Sequence, residues 1–356
     1  MLDSVSFDVT GSPARILFGR GARARCPEVL RDLGITRALV LSTEGQKDAA
    51  DAFACTLGKS CLGVLAGAVM HTPVAATEAA LEIVREGRVD GLVAYGGGST
   101  VGLSKAVAWR TDLPQVALPT TYSGSEVTNI LGQTENGTKT TLKSPRVIPE
   151  AVIYDPELTL ALPPRISVTS GLNALAHAVE GLYARDRNPV SALLAAEGTR
   201  ALIEALPRIA AAPADIAARE RAMVGSWLCG TVLGQVGMAL HHKLCHVLGG
   251  LFDLPHAETH SVVLPHATAF NASAVPGLLA PVAQALGAGA PGAGLWAFAR
   301  GLGAPTALRD LGMPEEGIAR AAEAATANPY WNPVPIERDA IAALIRAAWA
   351  GDCPAG

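Results

Sequence analysis

The chain has 356 residues, of which 49% are hydrophobic and 17% are charged, and its formal net charge is −4. This composition is typical of a folded globular protein, and the length is sufficient for two domains that each bury a core. The sequence has no basic run that could neutralise phosphates, which argues against nucleic acid as a partner.

The sequence also argues against a membrane or secreted location. No stretch of about 20 apolar residues without charges or prolines occurs, so no membrane span is expected. The first residues, MLDSVSFDVTGSP, lack the basic and apolar regions of a signal peptide. The six cysteines form no CxxC pair and are expected to be reduced thiols. We therefore expect a cytoplasmic protein.

The first part of the chain alternates between strand-like and helix-like segments. The strand-like runs are ARILFG, RALVLST, VDGLVAYGG, QVALPT and AVIYD, and helical periodicity appears in KDAADAFACTL and AATEAALEIVREG. Such alternation predicts a mainly parallel sheet covered on both faces, as in Rossmann-like nucleotide-binding domains.

After Asp155 the strand signal largely disappears, and Ala- and Leu-rich helical segments interrupted by prolines continue to the C-terminus. The prediction is an α/β + all-α chain. Residues 1–155 would form the Rossmann-like dinucleotide-binding domain, and residues 156–356 a helical domain that carries most of the histidines.

A glycine-rich turn, Gly96-Gly97-Gly98-Ser99-Thr100, follows the apolar run GLVAY and precedes the helical VGLSKAVAW. Glycines at a strand-to-helix turn let the backbone approach a phosphate, which the N–H groups of the helix N-terminus can bind. The alternative is a tight turn with a Ser/Thr cap. The position in an α/β half favours phosphate binding, although the motif is neither GxGxxG nor a Walker A sequence.

A second candidate segment, Pro119-Thr120-Thr121-Tyr122-Ser123-Gly124-Ser125-Glu126-Val127-Thr128, also follows a strand-like run. Its hydroxyl groups could hydrogen-bond a ribose, an adenine or a carboxamide, although such a loop can also cap itself. Lys139 could add a positive charge near the cofactor, or it could be solvated. The first nucleotide-domain strand ends in Ser42-Thr43 without a carboxylate, so Thr43 is a candidate contact and both NADH and NADPH are expected to work. Glu44 could reverse that preference.

Histidines are concentrated between Met238 and His266, where six of the eight occur, and His177 lies upstream in SGLNALAHAVE. Imidazole is the commonest transition-metal ligand and a proton carrier near neutral pH. His242 and His246 are four residues apart and share one face of a helix. In a metal site, the position four residues before His177 would suit an aspartate. Asn173, a neutral amide, occupies that position here.

These motifs together, GGGST, PTTYSGSEVT, SGLNALAHAVE and H-x3-H-x2-GG-x5-PH, resemble the iron-containing (group III) alcohol dehydrogenase family over nearly the whole chain. The resemblance implies a dehydroquinate synthase-like fold and a homodimer. It implies that Gly97, Gly98 and Ser99 bind the pyrophosphate. The other implied nucleotide contacts are Thr100, Thr120, Thr121, Ser123, Ser125 and Lys139.

In the wider family an aspartate and three histidines hold the metal. His177, His242 and His256 match those histidines, Asn173 takes the aspartate position, and His246 matches an active-site histidine that is not a ligand. Gly102 replaces an aspartate in GGGSTVGLSK, and PTTYSGSE is shorter than the usual PTTAGTGSE. These three departures resemble one branch of that family and weaken the case for a bound metal.

That branch implies NAD(P)H-dependent reduction of the C=C bond of an unsaturated keto-dicarboxylate. His242, His246 or His177 would supply the proton or the electrophile. Lys243, Arg146 and His241 are candidates for holding the carboxylates, on charge alone. The alternatives are a metal-dependent alcohol or polyol dehydrogenase, a sugar-phosphate cyclase of the dehydroquinate synthase type, and a nucleotide-binding protein without activity.

Overall fold

The computed structural model describes residues 15–135, 138–328 and 330–355, with only the backbone of Thr138 and Lys139. The chain forms two compact units that divide between Leu162 and Pro163, whereas the sequence analysis placed the boundary at residue 155. The segment from Asp155 to Leu162 stays with the first unit because its residues are hydrogen-bonded to other residues of that unit. Asp155 accepts a hydrogen bond from the Gly21 N–H at 3.0 Å, and the Tyr122 hydroxyl donates to the Thr159 hydroxyl at 3.2 Å.

The first unit, here called the α/β unit, contains one parallel sheet and one antiparallel hairpin. The sheet has the strand order β1-β8-β5-β4-β2-β3, and β6 and β7 form the hairpin. The strands are β1 Arg15–Phe18, β2 Ala38–Leu41, β3 Cys61–Leu65, β4 Gly91–Gly96, β5 Gln115–Pro119, β6 Ile130–Glu135, β7 Thr138–Lys143 and β8 Ala151–Tyr154; the α-helices are α1 Cys26–Asp32, α2 Lys47–Thr56, α3 Val74–Gly87 and α4 Gly98–Thr111.

The sheet is covered on both faces, as the alternation of strands and helices predicted. Strands β2, β4, β5 and β8 are buried along their whole length. Successive residues point to opposite faces, so Val40 and Val93 join one apolar cluster while Leu39 and Leu92 join another. The parallel sheet is therefore confirmed, whereas the β6–β7 hairpin was not predicted.

The second unit, here called the helical unit, is formed by helices α5 to α13 in the part that the structure describes. They are α5 Pro164–Tyr183, α6 Pro189–Ala211, α7 Ile216–Gln235, α8 Leu240–Phe252, α9 His256–Ala272, α10 Ala280–Leu286, α11 Pro291–Gly301, α12 Gly317–Thr326 and α13 Arg338–Ala350. Every residue of α5 from Ser167 onward is buried, so this helix is the centre of the unit.

A helix that spans a membrane must be both long and apolar. Within the described ranges, none of the helices alone has both the length and the apolar character to cross a bilayer. The helices α7 and α8 satisfy both criteria only when they are taken as a pair, and the chain bends by 93° between them.

Candidate active site

The glycine turn joins β4 to α4 and lies against the hydroxyl-rich loop. Gly96 ends the strand with a φ of +159°, and Gly97 immediately precedes the first turn of α4. A Cβ atom on Gly97 would lie 2.7 Å from Thr121 Cγ2, so any larger residue would displace the Thr121 side chain at this close approach of the two segments. Thr100 is buried beneath Gly96, whereas Ser99 is half-buried at the start of the helix.

No side chain caps the N-terminus of α4 within the described structure. The first amide groups of this 14-residue helix can therefore meet an anion, and the positive end of the helix dipole favours one. Ser123 lies beside the same turn, with its Oγ 3.6 Å from the position of a Cβ on Gly98. The structure thus brings Gly97, Gly98, Thr121 and Ser123 together at one turn.

Other hydroxyl groups of the loop are used inside the α/β unit. The Thr120 hydroxyl is buried and accepts a hydrogen bond from Gln46 Nε2 at 2.9 Å. The Thr128 hydroxyl donates to the Ser125 carbonyl oxygen at 3.0 Å. Part of the segment therefore caps itself, which was the alternative interpretation of its sequence.

A buried lysine that the sequence analysis did not assign holds this loop in place. The ammonium group of Lys105, on α4, donates to the carbonyl oxygens of Ser125, Thr128 and Ile130 at 2.6, 2.8 and 3.0 Å. It also donates to the Thr128 hydroxyl at 2.9 Å. Burial lowers the pKa of Lys105 to about 7. The buried carboxyl of Glu126, whose pKa burial raises, accepts a bond from Tyr154 at 2.8 Å.

The remaining candidates of the α/β unit have varied positions. Thr43 is half-buried after β2, and the neighbouring Glu44 is exposed. The Lys139 side chain lies outside the described residues. Arg146 is exposed, forms an ion pair with Asp112 at 2.9 Å and covers the Trp109 ring at 5.4 Å from its centroid.

In the helical unit, α5, α8 and α9 bring six of the histidines into one cluster. His177 lies on α5, His241, His242 and His246 on α8, and His256 and His260 on α9. The ring centroid of His242 is 5.2 Å from that of His177, 5.1 Å from that of His260 and 6.4 Å from that of His246. The sequence indicated only that His242 and His246 share one face of a helix, and the structure adds the histidines of α5 and α9 to that face.

Glu180, one turn after His177 on α5, organises the start of α8. Its carboxylate accepts hydrogen bonds from the backbone N–H groups of Ala239, His241 and His242 at 3.2, 2.8 and 3.3 Å. A buried carboxylate at this position satisfies amides that α8 leaves open and meets the positive end of its dipole.

The same carboxylate fixes the protonation pattern of His242. His242 Nδ1 lies 2.6 Å from Glu180 Oε2, so we assign the ring proton to Nδ1. The other nitrogen, Nε2, is buried without a hydrogen-bond partner and presents a lone pair. His242 is therefore prepared to accept a proton or a ligand at Nε2. The sequence analysis quoted Glu180 in its motif but gave it no role.

The histidines deepest in the cluster are neutral. Burial, aided by the neighbouring imidazoles, holds the pKa values of His177, His241 and His260 well below the usual range. His241 Nε2 lies 2.9 Å from His260 Nδ1, so these two rings share a hydrogen bond. His241 is thus engaged within the cluster rather than available for a carboxylate.

Lys243 and Tyr330 form a second pair in the helical unit. Lys243 on α8 is half-buried, and its Nζ lies 5.7 Å from the centroid of the Tyr330 ring. The Tyr330 hydroxyl is buried without a hydrogen-bond partner. Three groups were proposed to hold the substrate carboxylates. Arg146 is paired with Asp112, and His241 is hydrogen-bonded to His260. In the described structure only Lys243 has neither kind of partner.

The residues at the predicted metal positions do not fit a divalent iron ion. Asn173 is buried with its amide oxygen unpartnered, so the set of Asn173, His177, His242 and His256 contains no anionic ligand. Across the described ranges, the one group of His, Cys, Asp or Glu ligand atoms within 4.8 Å of one another is a different set, His241, Cys245 and His260.

A parallel α/β unit with a glycine turn, followed by a helical unit with clustered histidines, is the arrangement of a dinucleotide-dependent dehydrogenase. The model "Iron-containing alcohol dehydrogenase" matches residues 13–156, and "Fe-containing alcohol dehydrogenase family, C-terminal" matches residues 167–349. The chain therefore belongs to the iron-containing alcohol dehydrogenase family, which confirms the predicted fold.

Within that family the chain is similar to maleylacetate reductases. It is 58% identical to the maleylacetate reductase of Rhizobium sp. (strain MTP-10005), covering 98% of this chain and 99% of that one. The crystal structure of the Agrobacterium tumefaciens maleylacetate reductase superposes with a TM-score of 0.94 at 57% identity, covering 98% and 100% of the chains. Sulfoacetaldehyde reductase of Bifidobacterium kashiwanohense in complex with NAD+ has a TM-score of 0.88 at 26% identity, covering 98% and 100%.

Proposed function

We propose that the protein is a maleylacetate reductase, which uses NADH or NADPH to reduce the C=C bond of maleylacetate and gives 3-oxoadipate. The observation that carries the proposal is the near-full-length identity to the Rhizobium enzyme of that name. The neutral amide of Asn173 supports it, because a hydride transfer to a conjugated alkene does not require a metal-bound alcohol oxygen.

The nicotinamide cofactor is proposed from the glycine turn and from the related sulfoacetaldehyde reductase that holds NAD+. Gly97, Gly98 and Ser99 would bind the pyrophosphate through the N-terminus of α4. Thr121 and Ser123 lie at the same turn and would contact the nucleotide. No carboxylate lies between the end of β2 and Glu44, and Glu44 itself is exposed. A 2′-phosphate would therefore meet no buried negative charge there, so both NADH and NADPH should serve as cofactor.

The reaction requires a hydride, a proton and a group that stabilises the intermediate charge. When bound, the reduced nicotinamide supplies the hydride, which adds to the alkene carbon β to the ketone. The two electrons of the C=C bond then form an enolate of the substrate. A proton on the neighbouring carbon completes the reduction, so one hydride and one proton are consumed for each product.

We propose that His242 donates this proton to the substrate carbon. A proton on Nε2 makes the ring an imidazolium, and the Glu180 carboxylate at 2.6 Å from Nδ1 balances its charge. His177, which is neutral, can donate a hydrogen bond to the enolate oxygen. His246 is exposed on the same face of α8 and would return the proton from solvent.

Substrate binding is proposed for Lys243. Maleylacetate is a dianion, and the ammonium group beside Tyr330 would attract one carboxylate. Arg146 is less suited, because Asp112 already pairs with it at 2.9 Å. The homodimer and the cytoplasmic location remain predictions, and sedimentation of the purified protein would test the first.

Product analysis tests the reaction type directly. Purified protein, NADH and freshly prepared maleylacetate should give 3-oxoadipate in a 1:1 ratio to NADH consumed, measured by absorbance and mass spectrometry. Simple alcohols with NAD+ should give no comparable turnover. The reverse pattern, with alcohol oxidation and no loss of the alkene, would assign the protein to the alcohol or polyol dehydrogenases instead.

A further inference from the structure

Two histidines of the cluster and a neighbouring cysteine, all buried, have the composition of a site for a borderline-soft metal ion. His241 and Cys245 lie one turn apart on α8, and His260 lies on α9. All three are at least 98% buried. His241 Nε2 is 2.9 Å from His260 Nδ1 and 3.7 Å from Cys245 Sγ, and the three ligand atoms lie within 4.8 Å of one another.

These distances are close to those of a tetrahedral zinc site. Zinc binds imidazole nitrogen at about 2.0–2.1 Å and thiolate sulfur at about 2.3 Å, which places neighbouring ligand atoms roughly 3.3–3.6 Å apart. The two nitrogens would separate by a few tenths of an ångström, and the sulfur, 3.7 Å from His241 Nε2, would move closer by about a tenth. Two of the ligands come from consecutive turns of α8, so little backbone movement is needed.

The charge and chemistry of this set differ from those of the metal positions that the family uses. A cysteine becomes a thiolate on binding and supplies the negative charge that the set around Asn173 lacks. We propose that His241, Cys245 and His260 bind a single Zn²⁺ ion.

Binding requires no redox chemistry. The Cys245 thiol loses one proton to solvent, and each imidazole binds the ion through a ring lone pair, so the hydrogen bond between His241 and His260 is replaced. Three protein ligands leave a fourth position for water, as in open zinc sites.

The proposed site adjoins the histidine to which the proposed function assigns the proton, since the ring centroids of His241 and His260 are each 5.1 Å from that of His242.

Spectroscopy with Co²⁺ as a probe tests the site without using turnover. The full-length protein, freed of metal under reducing conditions, should bind one Co²⁺ per chain with a thiolate-to-cobalt charge-transfer band, and Zn²⁺ should displace it. Cys245→Ser and His260→Asn should lose the band, whereas Cys55→Ser, at an exposed thiol, should keep it. A band that persists in Cys245→Ser, or Co²⁺ bound without the band, would overturn the proposal.

X-ray absorption of the zinc-loaded parent protein avoids any failure of a variant to fold. One sulfur at about 2.3 Å and nitrogen ligands at about 2.0–2.1 Å are expected. A shell without sulfur would place the ion elsewhere and contradict the proposal. If the sulfur is present but maleylacetate is never reduced, the zinc site stands and the proposed function fails, so the two are distinguished.

Discussion

Replacing Glu180 by glutamine removes one acceptor oxygen and the negative charge at the start of α8. The carboxylate accepts five hydrogen bonds, three from backbone N–H groups, one from His242 Nδ1 and one from the Tyr183 hydroxyl at 3.5 Å. The amide group of glutamine has one oxygen, so its NH2 must face at least one buried N–H group. An unsatisfied buried donor costs about 1–3 kcal/mol, and the lost helix-dipole interaction adds about 0.3–1 kcal/mol. We expect Glu180→Gln to lower the free energy of unfolding by about 2–4 kcal/mol.

The effect should appear in both stability and kinetics. In a unit of this size, each kcal/mol lowers Tm by about 2–4 °C, so calorimetry should show a decrease of roughly 5–15 °C. Loss of the hydrogen bond to Nδ1 and of the counter-charge leaves the His242 ring less well oriented and without a balancing carboxylate during proton transfer, which should lower kcat about tenfold.

A matched control is Glu323→Gln, at an exposed position on α12, which should change stability by less than about 0.5 kcal/mol. A purely structural role for Glu180 would lower Tm and leave kcat unchanged at a temperature where both proteins are folded. If Glu180→Gln melts at the parent temperature and keeps the parent kcat, the reasoning about the start of α8 is refuted.

Three further predictions concern other parts of the molecule. Gly97→Ala places a Cβ 2.7 Å from Thr121 Cγ2 and should weaken NADH binding at least tenfold by fluorescence titration; unchanged affinity would argue against the turn as the phosphate site. Lys105→Met leaves buried carbonyl oxygens unsatisfied and should cost about 2–4 kcal/mol in urea unfolding, with a higher KM for NADH than the parent. Burial lowers the pKa of His266 to about 4, so between pH 6.5 and 4 the unfolded state binds more protons and stability falls as the pH falls. His266→Asn should reduce that slope by up to about 1.4 kcal/mol per pH unit, and an unchanged slope in urea unfolding would contradict the assignment.

Local patterns predicted the fold because the chain's periodicities are clear. Continuous apolar runs such as GLVAY became fully buried parallel strands, and the glycine turn lies between β4 and α4 as its position indicated. The domain boundary was displaced because Asp155 is hydrogen-bonded to Gly21, a contact far along the chain. The β6–β7 hairpin was not predicted, because the sequence analysis assigned no strand between QVALPT and AVIYD.

The candidate site was predictable only where its residues act within one helix. His242 and His246 share a face of α8, which their spacing shows. The contact of Glu180 with His242 spans 62 residues, and no local pattern indicates it. Lys105 was missed for a different reason: lysine is almost never fully buried, so its burial becomes apparent only from the carbonyl oxygens around it.

The central claim is that this chain reduces maleylacetate without a bound iron. The most direct measurement is NADH oxidation by metal-analysed protein with freshly prepared maleylacetate, before and after exhaustive chelation. We expect turnover to survive chelation. Turnover that disappears and returns only with added iron or zinc would contradict the account and show that Asn173, His177, His242 and His256 hold a required metal.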